Sequence, residues 1–525
     1  MTTRVVTTKE LEQHSKPSDA WFVINGNVYD VSKFAMMHPG GEEILYEYAG
    51  QDVTETFYGL HRQEVLEKFG PKLLVGRLEG AEEENDDNRV LSRSDLSILP
   101  FGENPAFQGF ASPFWNDSHV QFRKTVRKWL EENVREEAEA GELSGKAPSD
   151  ELFKKMGEAG LLAGRIGPGP AMKYAPENLF GVPKDKFDYF YEMILHEEVG
   201  RLACPGFVDG IGSGMAIGLP PVLQFGPSWM KEKVAKEVLS GEKRICLAIT
   251  EAFAGSDVAH VKTRAELSAD GSHYVVNGTK KWITNGHDSH YFTTLVRTGG
   301  EGHGGLSFLL IERSEGLETK KIKTSYSPSA GTAYITFENV KVPKENLIGA
   351  ENMGFLLSMY NFVHERWMIC AYIIAGSRGM IDECLRWTQQ RKAFGKPLIS
   401  QPVVRKQLGE MISRVESVSA WCESVTYRMC NMPYADMSSK LAGQICLLKY
   451  EATRVAHDVC DMAVQIFGGR GITQGGMGKY VERFMRTYKF ASILGGSEDI
   501  LIDAGLRLAM ANAAKEAGDL SRARL

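Results

Sequence analysis

The sequence predicts a multidomain α+β protein, a small mixed unit followed by a larger body ordered helices, strands, helices. Three observations carry this. A hairpin pattern stands near the N-terminus, with Trp21-Phe22-Val23-Ile24, the turn Asn25-Gly26-Asn27, then Val28-Tyr29. An acidic run, AEEENDDN at 81–88, reads as a solvated linker, and Pro and Gly at 100, 102, 105 and 109 follow it. Beyond it the apolar spacing changes from helical to alternating and back.

Taken in order, the body begins with VQFRKTVRKWLEENV. Val120, Phe122, Val126, Trp129 and Leu130 recur there at roughly the helical period, and helix is expected from 117 to 243. Strands are expected at His273–Val276, Tyr291–Val296, Leu306–Ile311 and Tyr334–Phe337, separated by turn residues. Helices return from about 353 to 512. The expected domains are 1–80, a linker at 81–113, then 114–245, 246–352 and 353–525. A chain of 525 residues has room for them, at roughly 150 residues per domain.

Composition excludes several function classes. With 43% hydrophobic and 24% charged residues the chain can build packed cores. A net charge of −6 gives no electrostatic footprint for nucleic acid. No run approaches the roughly 18 apolar residues of a membrane span. The eight cysteines include no C-x-x-C pair and none before Cys204, which argues for a reducing compartment and against a disulfide framework. Charge is uneven: residues 1–88 carry −9 and the remainder +3, which reads equally as weak electrostatic docking of head on body or as ordinary surface variation. Gly210-Ile211-Gly212-Ser213-Gly214 lacks the last glycine of a dinucleotide fingerprint, and Gly478-Lys479 lacks the rest of a phosphate-binding loop.

His38-Pro39-Gly40-Gly41 is a sharp turn with a histidine at its lip, and His61 follows in Phe57-Tyr58-Gly59-Leu60-His61. With Trp21, Val28-Tyr29-Asp30-Val31 and Leu73-Val75-Gly76, residues 4–80 resemble the cytochrome b5 family. The resemblance implies that His38 and His61 are the two axial ligands of a haem b. Two imidazoles would leave no open position on the iron, so such a unit carries single electrons and does no bond chemistry.

In the body, Leu247-Ala248-Ile249-Thr250-Glu251, Ala254-Gly255-Ser256-Asp257-Val258, Lys281-Trp282-Ile283-Thr284-Asn285-Gly286, Gln390-Arg391-Lys392-Ala393-Phe394-Gly395-Lys396-Pro397 and Val464-Gln465-Ile466-Phe467-Gly468-Gly469 occur in that order. Together they resemble the acyl-CoA dehydrogenase family from about 117 to 510. The resemblance implies a helical domain, a β domain and a second helical domain around FAD, with an acyl-CoA substrate. Thr250, Trp282, Thr284 and Ser497 then match flavin positions. Arg391, Phe394, Gln465 and Gly469 match positions reaching a neighbouring subunit's FAD, which implies a homodimer or homotetramer. Ser256 matches a CoA contact. Ala252-Phe253 departs from the family's Pro-Gly at that point.

The family removes an α proton with a carboxylate. The common position for that Glu is here Gly495, in Ile493-Leu494-Gly495-Gly496-Ser497-Glu498, and glycine cannot take a proton. Some members carry the Glu before an Arg on an earlier helix, which here is Glu365-Arg366. Phe362, Met368 and Ile369 share its face, with Asn361 the one polar neighbour, so the carboxylate lies among apolar groups and its pKa should rise. Glu365 is therefore the expected base, with Arg366 and the Gly495 backbone as substrate contacts and Glu498 as the fallback base. The expected function is FAD-dependent α,β-dehydrogenation of an acyl-CoA, with electrons passed to the fused haem and then to an external acceptor. Direct use of oxygen, a non-CoA substrate such as a nitroalkane, and a non-catalytic acyl-CoA-binding role are the alternatives. The final Ala523-Arg524-Leu525 resembles a peroxisomal address. With no secretory h-region and no Arg-rich leader, peroxisome is expected ahead of mitochondrion or cytosol.

Overall fold

The computed structural model describes residues 4–81, 95–326 and 328–523, so the acidic stretch 82–88 and Arg524-Leu525 lie outside the described residues. The chain forms two compact units. One gathers residues 1–99, 382–408 and 463–482, and the other gathers 100–381, 409–462 and 483–525.

The first unit contains a five-stranded sheet. Its strand order is Val5–Val6, Leu74–Leu78, Asn27–Asp30, Asp19–Ile24, Ser15–Lys16. The expected hairpin forms, with Trp21 opposite Asp30 and Ile24 opposite Asn27. Asn25 and Gly26 both have positive φ, which is what a two-residue turn with right-handed strand twist requires. Alternation then buries Phe22 and Ile24 with Tyr29 and Val31 on one face, and Trp21, Val23 and Val28 on the other. Short helices at Glu43–Glu47, Thr54–Leu60 and Gln63–Leu73 follow the strand pair.

Segments 382–408 and 463–482 pack in this same unit. Arg62, immediately after His61, donates to Glu383 Oε2 at 2.6 Å and Oε1 at 2.8 Å, and to the Met477 carbonyl at 2.9 Å. Its guanidinium lies 4.5 Å from the Tyr480 ring centroid. Lys392 donates to Glu55 at 2.9 Å. The charge asymmetry predicts that the head supplies anions, and Glu55 does. At the buried contact the head supplies the cation instead, because net charge does not fix local pairing.

The second unit holds an eight-stranded sheet ordered Leu317–Lys321, Ala333–Pro343, His273–Ile283, Arg264–Leu267, Tyr291–Arg297, Leu306–Glu312, Leu347–Ile348, with Ile245–Ala248 paired parallel to Tyr291–Arg297. All four expected strands are present and all run longer, two by a single residue and two by several, to 273–283 and 333–343. Helices precede the sheet, among them Asp117–Asn133 and Tyr189–Arg201. Arg127 on the former holds Glu198 on the latter at 2.7 and 2.9 Å. The stretch Pro205–Phe225 is apolar and long enough to cross a membrane, but the described residues of its most apolar window are buried inside the protein. After the sheet come long helices at Gly354–Gln390, Pro402–Cys430, Ala442–Phe467, Lys479–Ala491 and Glu498–Ala523.

Candidate functional site

In the first unit, His38 and His61 face each other with ring centroids 5.8 Å apart. That spacing leaves room for one metal atom bonded at about 2 Å to a nitrogen of each ring. His38 Nδ1 donates to the Gly41 carbonyl at 2.8 Å, which orients the ring and leaves Nε2 as the lone-pair nitrogen. A Cβ on Gly40 would come within 2.8 Å of His38 Cε1, so the turn needs glycine to admit the imidazole. His61 stacks on Phe57 at 4.9 Å. Its Nδ1 is buried without a partner, and burial followed by the neighbouring His38 lowers its pKa, which favours the neutral ligand form. Phe34 and Phe69 meet nearby at a tilt, centroids 5.1 Å apart, and Met36, Met37 and Leu60 form an exposed apolar lip. Among the described residues no group of three or more metal-binding side chains exists. A metal here needs its remaining ligands from a macrocycle, and the apolar lip suits a porphyrin.

In the second unit, Thr250 and Trp282 are brought together. Lys281 N donates to the Thr250 carbonyl at 2.9 Å. Beneath them Glu251 is buried and accepts from Lys280 Nζ at 2.9 Å, Thr263 Oγ1 at 2.6 Å, and the Lys262 and Thr263 amides. Lys280 also donates to the Ile249 carbonyl, and this cluster pins the Thr250 loop to the sheet. Between Lys280 and Ile283 the strand gains a residue relative to its partner. Trp282 sits in that bulge at φ +59° and is 49% exposed, a flat aromatic surface turned outward. Thr284 is buried one turn on. Ser256 is exposed on the adjoining loop. The Ala252-Phe253 departure makes a tight turn, with Glu251 and Ala254 exchanging backbone hydrogen bonds across it.

Glu365 lies on the long helix Gly354–Gln390 and is 2% exposed. Its Oε2 has no partner among the described residues. Burial pushes its pKa up to about 7, against the opposing pull of Arg366, Lys449 and His364. Gly495 (φ +67°) packs directly on it: a Cβ there would lie 3.3 Å from Glu365 Oε1 and 3.1 Å from Ile369 Cδ1. Arg366 Nε donates to the Gly495 carbonyl at 2.8 Å, and Lys449 Nζ donates to the Gly496 carbonyl at 2.7 Å. These two cations hold the glycine turn against the helix. Glu498 is engaged elsewhere, accepting from Thr453 at 2.9 Å and Lys489 at 3.2 Å. Ser497 is half-buried and accepts from Leu501 N at the start of the last helix.

Arg391, Phe394, Gln465 and Gly469 fall in the first unit, all exposed. Phe394 is 94% exposed at the tip of a hairpin pairing Lys392–Ala393 with Lys396–Pro397, a feature too short to be read from alternation. Lys449 was also missed, although a lone lysine directly after the apolar run Ile445–Leu448 is a signal of a buried, tied cation.

Comparison with known proteins gives four matches along the chain. These are the cytochrome b5-like heme/steroid binding domain at 7–79, and the acyl-CoA dehydrogenase N-terminal, middle and C-terminal domains at 116–242, 246–340 and 352–509. The chain is 37% identical to the acyl-CoA dehydrogenase apdG of Emericella nidulans, over 82% of this chain and all of that one. It superimposes on butyryl-CoA dehydrogenase from Megasphaera elsdenii with a TM-score of 0.67 at 24% identity, covering 76% of this chain and all of that one. It matches the acyl-CoA dehydrogenase of Bacillus anthracis complexed with FAD at the same TM-score and identity, covering 79% and 72%. The two structures support the fold. The chain belongs to the acyl-CoA dehydrogenase family of FAD-dependent oxidoreductases and carries a cytochrome b5-like domain ahead of its three dehydrogenase domains.

Proposed function

We propose that this enzyme oxidises the Cα–Cβ bond of an acyl-CoA thioester to the trans-2-enoyl-CoA, and that its electrons leave through a haem b held by His38 and His61. The observation that carries the reading is Glu365, a buried carboxylate with one unpartnered oxygen and a pKa near 7, packed against the glycine at 495. Such a group holds no proton above neutral pH and gains one readily, which suits a general base. Glu365 takes the α proton. The Gly495 amide donates toward the thioester carbonyl, which would acidify that proton. FAD, when bound against Thr250, Trp282, Thr284 and Ser497, supplies the two-electron acceptor. The haem, when bound, supplies a one-electron acceptor on the same chain. Trp282, turned outward from its bulge, and the buried Glu251–Lys280 cluster that fixes Thr250 support the flavin assignment.

Exposed Phe394, with Arg391, Gln465 and Gly469, supports a homo-oligomer in which these residues meet the neighbouring subunit's flavin. The experiment is an anaerobic titration of purified holoenzyme with an acyl-CoA panel, following flavin and haem bands together. The reading predicts flavin bleaching first and haem reduction after it. Bleached flavin beside oxidised haem would remove the haem from the route.

A further inference from the structure

Next to Glu365 lies a second set of buried polar groups that proton abstraction does not use. Arg165 ends the short helix Leu161–Gly164 and is 1% exposed. Its Nε and one terminal nitrogen are buried without a hydrogen-bond partner, and among the described residues no carboxylate lies within ion-pair distance. Glu192 is fully buried. Its Oε1 accepts from His364 at 2.7 Å and His196 at 3.1 Å, while Oε2 has no partner. The Tyr372 hydroxyl is buried and unpartnered as well.

These groups form one neighbourhood. Asp209, Glu192 and Tyr372 act electrostatically on Arg165, and Asp209, Glu365 and Arg165 act on Tyr372. Tyr372 is seven residues from Glu365 on the same helix, so the two share a face. Its side chain leans back toward the helix N-terminus and so toward the base. Among the described residues no hydrogen bond joins these donors and acceptors to one another. Buried polar groups are almost always satisfied, by protein, water or ligand.

We propose that this cluster is a subsite for an oxygen atom on the acyl chain, so that the preferred substrate carries a hydroxyl or ketone several carbons beyond the bond being oxidised. This rests on the dehydrogenase reading above and names its substrate class. Charge selects among oxygen functions. The carboxylates of Asp209 and Glu192 both act on Arg165, and burial holds His196 neutral. Two acids against one cation leave the cluster net negative, so a further carboxylate would be repelled. A neutral oxygen can accept from Arg165 and exchange a hydrogen bond with Tyr372.

The test uses binding, so that it does not depend on turnover. The 2-enoyl-CoA products are titrated into oxidised holoenzyme by calorimetry: trans-2-octenoyl-CoA, its 5-, 6- and 7-oxo and hydroxy derivatives, and trans-2-octenedioyl-CoA. At least one neutral oxygenated chain should bind tenfold or more tighter than trans-2-octenoyl-CoA, and the dioic chain should not. Arg165→Met should reduce that ratio to about one, with FAD absorbance and melting temperature reporting an intact fold. Tyr372→Phe, a milder change, should reduce it in part. Equal or tighter binding of the plain chain would mean that water satisfies these groups, a ratio that survives both substitutions would mean that the oxygen is recognised elsewhere, and either would overturn the proposal. If no acyl-CoA bleaches the flavin, the dehydrogenase reading fails while the binding ratios still decide the subsite.

Discussion

A Cβ built on Gly495 would lie 3.3 Å from Glu365 Oε1. The two positions at which the sequence analysis looks for a base, 365 and 495, therefore lie side by side in the structure. With the carboxylate on the helix, glycine at 495 leaves it room. Arg366 then ties the glycine's carbonyl to the residue after the base.

Gly495→Ala should therefore damage catalysis without unfolding the protein. The alanine meets both a left-handed backbone and the Glu365 carboxylate. We expect flavin reduction slowed tenfold or more with FAD retained, measured by anaerobic stopped-flow. An unchanged rate would show that the carboxylate has space to spare.

The pH dependence follows from Glu365. Only the ionised form accepts a proton, so kcat/KM should rise with pH through about 7. Stability should run the other way. The folded pKa lies above the unfolded 4.5, so stability falls as pH rises from about 4.5 through 7, by about 3 kcal/mol in all. Glu365→Gln should melt higher than the parent at pH 8 and equally at pH 4.5, by calorimetry. A gain of the same size at both pH values would contradict the burial account.

For the haem, His38→Ala and His61→Ala should each abolish the six-coordinate low-spin spectrum. Gly40→Ala should weaken haem retention, since its methyl group strikes the His38 ring. Unchanged spectra in both histidine variants would end the ligand assignment.

Arg62→Met tests the seat of the haem domain. Breaking a buried pair by removing one partner costs about 3–5 kcal/mol, and Arg62 is paired with Glu383 while its neighbour His61 faces His38. We expect faster hydrogen exchange over 55–62 and 382–390, haem still bound, and slower haem reduction. Because the pair is buried, moderate salt should change the parent little. Strong salt sensitivity in the parent would favour tethered diffusion over a fixed seat.

The hairpin at Trp21–Tyr29 and the central strands were legible because their alternation runs over several residues. Glu365 was legible because the family resemblance points to the Glu365-Arg366 pair, and its helical spacing from Phe362, Met368 and Ile369 supports a buried carboxylate. The hairpin bearing Phe394 was not, since two-residue strands show no period. Arg62 and Glu383 lie 321 positions apart, and no local pattern links them. Arg165 and Tyr372 became informative only with burial, because a buried arginine with unpartnered nitrogens looks in sequence like any surface arginine.

The central claim is that Glu365 takes the α proton. Anaerobic stopped-flow of Glu365→Gln holoenzyme with an acyl-CoA that reduces the parent tests it most directly. The substitution keeps shape and removes the base, so FAD should stay bound and substrate should still perturb its spectrum. Flavin reduction should fall by about two to four orders of magnitude. A variant reduced at the parent rate would contradict the claim and move the role to another carboxylate.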